Sequence, residues 1–216
     1  MKQIDGNNRL WQVDLTLTGD TDAELHVVTG HMREVIYSGA EGWDRLGTLL
    51  FQLGEFDKAQ EVYDILLDQT RTDYRKSPIY KMLGKVKTGQ GEYKDTIAYF
   101  QQSIEIQQKI LQPTDVDFAT TYSNIGPVYL SMTDYPNALS YHQKALDIYQ
   151  KTLPSNHPDL AASYNNIGLV HEEMGDYSNA LSFSKRALEI GQCLLPANHP
   201  LLLDFRKNLE FVKRIM

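Results

Sequence analysis

Two long segments of this chain repeat one another. Residues 121–158 align with residues 163–200 at an offset of 42 without a gap, and 21 of the 38 aligned positions are identical. A repeat of this length predicts a stack of copies, because one copy alone cannot bury its apolar face and each copy covers the next.

Two weaker copies precede these segments. In all four copies an aromatic residue lies four positions before a glycine, and a second aromatic residue follows that glycine by nine positions. The glycines are Gly47, Gly84, Gly126 and Gly168, the first aromatics are Trp43, Tyr80, Tyr122 and Tyr164, and the second are Phe56, Tyr93, Tyr135 and Tyr177. The repeat therefore extends over most of the chain.

The spacing inside a copy is helical. Tyr164, Gly168 and His171 lie on one face of a helix, at i, i+4 and i+7. Because glycine costs about 1 kcal/mol of helix propensity relative to alanine, we expect Gly168 to admit a closely packed second helix. Gly175-Asp176 is typical of a turn followed by a helix cap, so each copy is predicted to be a pair of helices.

These features resemble the tetratricopeptide repeat, and in particular the 42-residue repeats of kinesin light chains. That variety carries a Leu-Pro-x-x-His-Pro connector, which is present here at residues 153–158 and 195–200. The resemblance covers residues 43–216 and implies an all-α fold, a right-handed α-solenoid of helix pairs. HEAT-like repeats have a similar period but do not account for the glycine and alanine positions.

The repeat also predicts how the chain is divided. The predicted repeats are residues 41–76, 77–115, 116–157 and 158–199, within a region of 41–200. Residues 200–216 carry apolar residues at helical spacing from Leu202 to Val212, which favours a helix that caps the stack. The alternative is the start of a longer array.

Three residues depart from the family pattern. His142 and Ser184 stand where the family usually has an aromatic residue. Pro127 lies inside a first helix, where a proline costs about 3 kcal/mol and bends the helix. We expect a local kink at Pro127 and no loss of the repeat.

The first forty residues do not carry the repeat. Asp5-Gly6-Asn7-Asn8 favours a hairpin turn, and apolar residues alternate with polar ones from Trp11 to Leu17, as in a half-buried strand. We interpret residues 1–20 as a β-hairpin remnant of an upstream sheet domain, and residues 21–40 as a linking helix.

Residues 4–18 resemble the last hairpin of arginine-directed mono-ADP-ribosyltransferases, some of which carry light-chain-like repeats towards the C-terminus. The resemblance implies a catalytic domain upstream of this hairpin. None of that family's catalytic residues has a matching position in this chain.

Composition argues against several classes of function. The formal net charge of −7 and the pI near 5.3 disfavour nucleic acid as a partner, because phosphate binding needs a strongly basic face. No apolar run approaches the roughly 20 residues that span a bilayer, and the N-terminus lacks the apolar core of a signal peptide. We therefore expect a cytoplasmic protein without a membrane partner.

Cofactor and catalytic chemistry is also unsupported. Cys193 is the single cysteine, and the histidines show no metal-ligand spacing. His157 and His199 recur with the repeat before prolines, which favours a structural role in turns. We expect no metal, no cofactor and no catalytic residue.

The candidate binding residues lie on the first helices, which line the concave groove of such arrays. Asn124, Asn166 and Asn208 recur at the 42-residue step, and Asn165 precedes the second of them. An asparagine amide donates and accepts hydrogen bonds, so a row of them can clamp the backbone of an extended peptide, as the resemblance implies. The alternative is that they cap turns or bond within the stack.

Charged and apolar candidates accompany this row. Lys81 and Lys85 lie one helical turn apart, near Arg75, Lys76 and Lys87, and are candidates to receive acidic side chains or a C-terminal carboxylate. A solvated basic face is the alternative. Glu172 gives the far end of the groove the opposite sign, and Phe51 is a candidate apolar anchor in the first repeat.

Three functions remain open from the sequence. The favoured one is a protein-interaction scaffold that holds a peptide segment or partner protein in the groove. The second is a non-catalytic C-terminal fragment of a mono-ADP-ribosyltransferase, and the third is an adaptor that self-associates through an uncapped end. We do not infer binding to a motor heavy chain, because the heptad region of kinesin light chains is absent.

Overall fold

The structure, a computed structural model, describes residues 2–4, 10–12 and 40–215. Residues 40–215 form nine helices joined by short turns. The helices are α1 (Ala40–Gln52), α2 (Phe56–Gln69), α3 (Asp73–Gln90), α4 (Tyr93–Ile110), α5 (Val116–Ser131), α6 (Tyr135–Thr152), α7 (Pro158–Glu173), α8 (Tyr177–Leu194) and α9 (Pro200–Ile215). The most extensive packing joins α1 to α2, α3 to α4, α5 to α6 and α7 to α8, which confirms the predicted helix pairs.

The turn inside each pair contains a residue with positive φ. In three pairs it is a glycine, at Gly54, Gly91 and Gly175, with φ of 76°, 77° and 75°. In the third pair it is Thr133, with φ of 58°. The aspartate after Gly175 then caps α8, since the side chain of Asp176 accepts a hydrogen bond from the backbone of Asn179, as the sequence predicts.

The repeat glycines let the two helices of a pair approach. A Cβ on Gly47 would stand 2.7 Å from Cζ of Tyr63, and a Cβ on Gly84 would stand 2.9 Å from Cε1 of Phe100. Both distances are shorter than a normal carbon–carbon contact. In the first two pairs, therefore, the missing side chain makes room for a buried aromatic ring.

The last two pairs fill the same position with smaller side chains. The imidazole of His142 lies on Gly126, and a Cβ there would overlap the ring. At Gly168 a Cβ would stand 3.1 Å from Oγ of Ser184. His142 and Ser184 thus replace the aromatic ring that packs against the glycine in the first two pairs. The two helices of each pair still approach closely.

The first helices α3, α5, α7 and α9 lie on the inner side of the stack. α3 contacts α5, α5 contacts α7 and α7 contacts α9, whereas residues 40–215 show no comparable contact between second helices. Elements that approach one another along a solenoid lie on its concave side.

The third helix starts ahead of the residue at which the second repeat is predicted to begin. α3 begins at Asp73, so the predicted boundary between residues 76 and 77 falls inside that helix. The preceding segment lacks the Leu-Pro-x-x-His-Pro connector that marks the later boundaries, and α3 carries Pro78 in its second turn. α5, α7 and α9 start at Val116, Pro158 and Pro200. The division of the chain into repeats stays a prediction.

Pro127 does not interrupt its helix. α5 runs from Val116 to Ser131, and Pro127 lies on its exposed side. The hydroxyl of Ser131 donates a 3.0 Å hydrogen bond to the Pro127 carbonyl. The repeat is retained, as predicted.

Two short strands pair near the N-terminus. β1 (Lys2–Ile4) is antiparallel to β2 (Leu10–Gln12), with Lys2 opposite Gln12. The predicted turn at residues 5–8 and the continuation of the strand to residue 17 lie outside the described residues, as does the linking helix up to residue 39. The interpretation of this segment as a domain remnant stays a prediction.

Candidate functional site

α3, α5, α7 and α9 each carry one face whose side chains are half-buried or exposed. It comprises the positions six and two before the repeat glycine and one and five after it, which share a face at helical spacing. We call this surface the inner face. Its residues are Pro78, Met82 and Lys85 in α3, Thr120, Asn124, Pro127 and Ser131 in α5, Ala162, Asn166, Leu169 and Glu173 in α7, and Asp204, Asn208, Phe211 and Ile215 at the equivalent positions of α9. All of them are half-buried or exposed. The fourth position of α3, Gly89, is covered by the ring of Phe56 and is left out.

Three of the predicted asparagines lie on the inner face and the fourth lies behind it. Asn124, Asn166 and Asn208 are half-buried, whereas Asn165 is only 8% exposed. Nδ2 of Asn208 donates a 3.0 Å hydrogen bond to Oδ1 of Asn165 and so links α9 to α7. Within residues 40–215 this is the only hydrogen bond among the four side chains, so bonding within the stack accounts for Asn165 and Asn208 but not for Asn124 and Asn166.

The predicted lysines separate into different environments. Lys85 lies on the inner face, whereas Nζ of Lys81 lies 3.8 Å from Oδ1 of Asp117 and joins α3 to α5. Lys87 is buried, and its ammonium donates a 2.7 Å hydrogen bond to Glu92, which raises the pKa of Lys87. The basic cluster suggested by the sequence is therefore divided, with Lys85 alone of these three on the inner face.

Phe51 and Glu172 share a repeat position four residues after the glycine, beside the inner face. The ring of Phe51 packs against Phe56, with centroids 5.7 Å apart, and contributes to the packing of the first pair. Glu172 is half-buried, and burial, with a smaller effect of the neighbouring Glu173, raises the pKa of its carboxyl group.

The sequence analysis overlooked an apolar row on the same surface. Pro127, Leu169 and Phe211 occupy the position after the repeat glycine in α5, α7 and α9, and Lys85 occupies it in α3. The signal was present, since these residues recur at the same 42-residue step as the asparagines. The helix-breaking character of Pro127 in a sequence masks its place in this row.

Other chemistry finds no support in the part of the chain that the structure describes. Among those residues, no three histidine, cysteine or acidic side chains are grouped to hold a metal ion. The imidazole Nδ1 of His157 accepts a hydrogen bond from the backbone of Asp159 and caps α7, in keeping with a role in the turn. No described helix has the length and apolar character needed to cross a membrane.

Family comparison agrees with this geometry. The sequence matches family models described as tetratricopeptide repeat over residues 117–192 and residues 40–67. The α5–α6 and α7–α8 pairs and most of the first pair are tetratricopeptide repeats. The resemblance inferred from the glycines, the aromatics and the connector is thereby confirmed.

Solved structures with tetratricopeptide-like repeats share the fold. BtubC (BKLC) of P. vanneervenii superposes with a TM-score of 0.74 at 21% identity, over 89% of this chain and 81% of that chain. Two structures of a Podosopora anserina protein, described as a kinesin light chain with nearly identical repeats, give a TM-score of 0.68 at 18% identity, over 80% of this chain and 84% of theirs. No curated protein matches the sequence significantly.

These likenesses define the array as a kinesin-light-chain-like tetratricopeptide solenoid in fold. Tetratricopeptide arrays generally mediate protein–protein interactions and generally are not enzymes. The repeats therefore indicate a protein-interaction scaffold.

Proposed function

We propose that this chain binds an extended segment of a partner protein along the inner face. The observation that carries the proposal is the pair Asn124 and Asn166. They occupy equivalent positions on adjacent first helices, are half-buried, and keep their amides unbonded to each other and to Asn165 or Asn208. A primary amide can pair with both groups of a peptide unit, so two in register can hold a backbone without reading its sequence.

Charge on the inner face gives the bound segment a direction. Lys85 lies at the α3 end, whereas Glu173 and Asp204 lie on α7 and α9 at the other end. Opposite charges across an interface fix the register and orientation of a ligand. The acidic part of the partner segment therefore lies towards the second repeat.

Affinity capture with matched variants tests the proposal. The chain, an Asn124→Ala/Asn166→Ala variant and an Asn156→Ala/Asn198→Ala variant are immobilised and exposed to lysate of the source organism. Asn156 and Asn198 make the same chemical change at the same 42-residue spacing, but they lie in exposed connectors. Asn208 is left intact because its removal would leave Oδ1 of the buried Asn165 without its partner.

The proposal expects a partner that the wild-type chain and the connector variant retain and the inner-face variant loses. Quantitative mass spectrometry of the three eluates measures this. Equal recovery of every partner by the inner-face variant would place the binding site elsewhere.

Reversal of one charge tests the direction. Lys85→Glu should weaken binding of the captured partner at least tenfold if an acidic side chain lies against it, because like charges then face each other. Lys94→Glu, an exposed position on the second helix α4, is the matched control. If the Lys85→Glu variant binds the captured partner with unchanged affinity, the proposed orientation of the segment is wrong. The proposed binding of its backbone by Asn124 and Asn166 would still stand.

The alternative function is that of a non-catalytic C-terminal part of an arginine-directed mono-ADP-ribosyltransferase. Its support is the antiparallel pairing of Lys2–Ile4 with Leu10–Gln12, where the resemblance implies a hairpin. Reading the gene upstream of Met1 tests it. A Glu-x-Glu loop in that frame would support the alternative, and an unrelated upstream sequence would remove it.

A further inference from the structure

The apolar row of the inner face is exposed to different degrees along its length. Phe211 is 45% exposed and Ile215, one turn further along α9, is 43% exposed. Pro127 is exposed and Leu169 is half-buried. Exposed apolar side chains, once grouped, mark interaction sites, and Phe211 with Ile215 forms such a group at the α9 end of the row.

Each of three first helices offers the same two groups. Asn124 stands three residues before Pro127, and Asn166 and Asn208 stand three residues before Leu169 and Phe211. Residues three apart are neighbours on a helix surface. The inner face therefore presents an amide and an apolar side chain side by side, once per helix, in three consecutive repeats.

The distance between successive first helices sets the register of a ligand. Packed helices lie about 8–10 Å apart. A polyproline-type chain advances about 3.1 Å per residue and completes one turn in three residues, so side chains three apart share a face. In a β-strand, side chains three apart point to opposite faces, which excludes that conformation for this spacing. Three residues therefore cover one step of the row, whereas two residues fall short of it and four exceed it.

We propose that the inner face selects a protein segment in the polyproline-type conformation with an apolar side chain at every third residue, one each for Pro127, Leu169 and Phe211. One step beyond, at Lys85, the same row is basic, so the segment carries an acidic residue three positions past the last apolar one. This inference rests on the proposed scaffold function and adds the chemistry that the scaffold reads.

A displayed library of random twelve-residue peptides tests the register. Peptides selected on the immobilised full chain should share apolar residues at i, i+3 and i+6. They should also carry an acidic residue three positions beyond the apolar residue at one end. Two synthetic peptides of identical composition, one with spacing three and one with spacing two, then give dissociation constants by fluorescence anisotropy. The spacing-three peptide should bind at least tenfold more tightly.

Variants locate the contact. Leu169→Gln/Phe211→Gln should weaken the spacing-three peptide at least tenfold. Leu53→Gln/Ile110→Gln, which changes two exposed apolar residues away from the inner face, should leave it unchanged. Circular dichroism melting establishes that each variant is folded, and Phe211→Ala alone provides a milder second test.

The outcomes separate this inference from the scaffold proposal. Selected peptides that depend on Asn124 and Asn166 but show another spacing would overturn the register and leave the scaffold standing. Selected peptides unaffected by the Leu169 and Phe211 changes, or a library without enrichment, would also overturn the inference. So would light scattering that shows a dimer dissociated by Phe211→Ala, because a second copy would then cover the row.

Discussion

The backbone of Gly84 lies against the ring of Phe100, and a Cβ added to that glycine would stand 2.9 Å from Cε1 of the ring. At the equivalent place in the fourth pair, the neighbour of Gly168 is Oγ of Ser184, at 3.1 Å from such a Cβ. The same glycine thus faces a rigid ring in one repeat and a small hydroxymethyl group in another.

Alanine at these two glycines should have different effects. Gly84→Ala should lower the free energy of unfolding by about 1–3 kcal/mol, because the ring of Phe100 is fully buried and has no room to move. Gly168→Ala should change it by less than about 1 kcal/mol, since gained helix propensity offsets a small shift of Ser184. Urea denaturation measures both, and equal losses would contradict this account of the packing.

Thr133 should be a destabilising residue in its turn. Its φ of 58° is unfavourable for a β-branched side chain, and the other three pairs have glycine at this position. Thr133→Gly should raise the free energy of unfolding by about 1 kcal/mol, because glycine adopts this conformation without strain. The gain is reduced by the loss of the hydrogen bond that the Thr133 hydroxyl donates to the Met132 carbonyl. Gly175→Thr should have the opposite sign in the same denaturation series, and a stability gain there would refute the argument.

His142 should make stability depend on pH. Burial lowers the pKa of His142 from 6.5 to about 4. Between these values the unfolded chain binds a proton that the folded chain does not, so the free energy of unfolding falls as the pH falls from about 6.5 towards 4. The loss attributable to His142 at pH 4.5 is about 2–3 kcal/mol.

His142→Phe provides the comparison, because Phe100 already fits against the equivalent glycine in the second pair. Denaturation at pH 7 and pH 4.5 should show a smaller loss in the variant than in the wild-type chain. Identical losses would mean that His142 accepts a proton without leaving its place against Gly126.

Asn165 and Asn208 should be energetically coupled. Each single alanine substitution removes the 3.0 Å hydrogen bond between α7 and α9, and Asn208→Ala also leaves the buried carbonyl of Asn165 without a partner. The double variant should therefore be less destabilised than the sum of the single variants, by about 1 kcal/mol. Additive losses in a double-mutant cycle would show that the bond contributes nothing to the stack.

The fold followed from the sequence because the decisive signals are local and repeated. Gly168 indicates the close approach of two helices, and the Gly175-Asp176 turn indicates where the second helix begins. Both features recur with the repeat. The sequence does not reveal the start of α3 at Asp73, because no proline connector marks it and Pro78 lies inside the helix.

The candidate site was predicted less completely, because a repeat period does not say which face of a helix a residue occupies. Asn165 and Asn166 are adjacent in sequence, yet one is buried against α9 and the other is on the inner face. Lys85 and Lys87 are close in sequence, yet residues two apart on a helix point to different sides. The position of each side chain around the helix had to come from the structure.

The most direct test observes the side-chain amides of the inner face themselves. In ¹⁵N–¹H spectra of the full chain, titrated with a peptide from the captured partner, the NH₂ signals of Asn124 and Asn166 should shift while those of Asn156 and Asn198 stay in place. Shifts confined to the connector asparagines or to the second helices, with Asn124 and Asn166 unmoved at saturation, would contradict the claim that the inner face holds the partner.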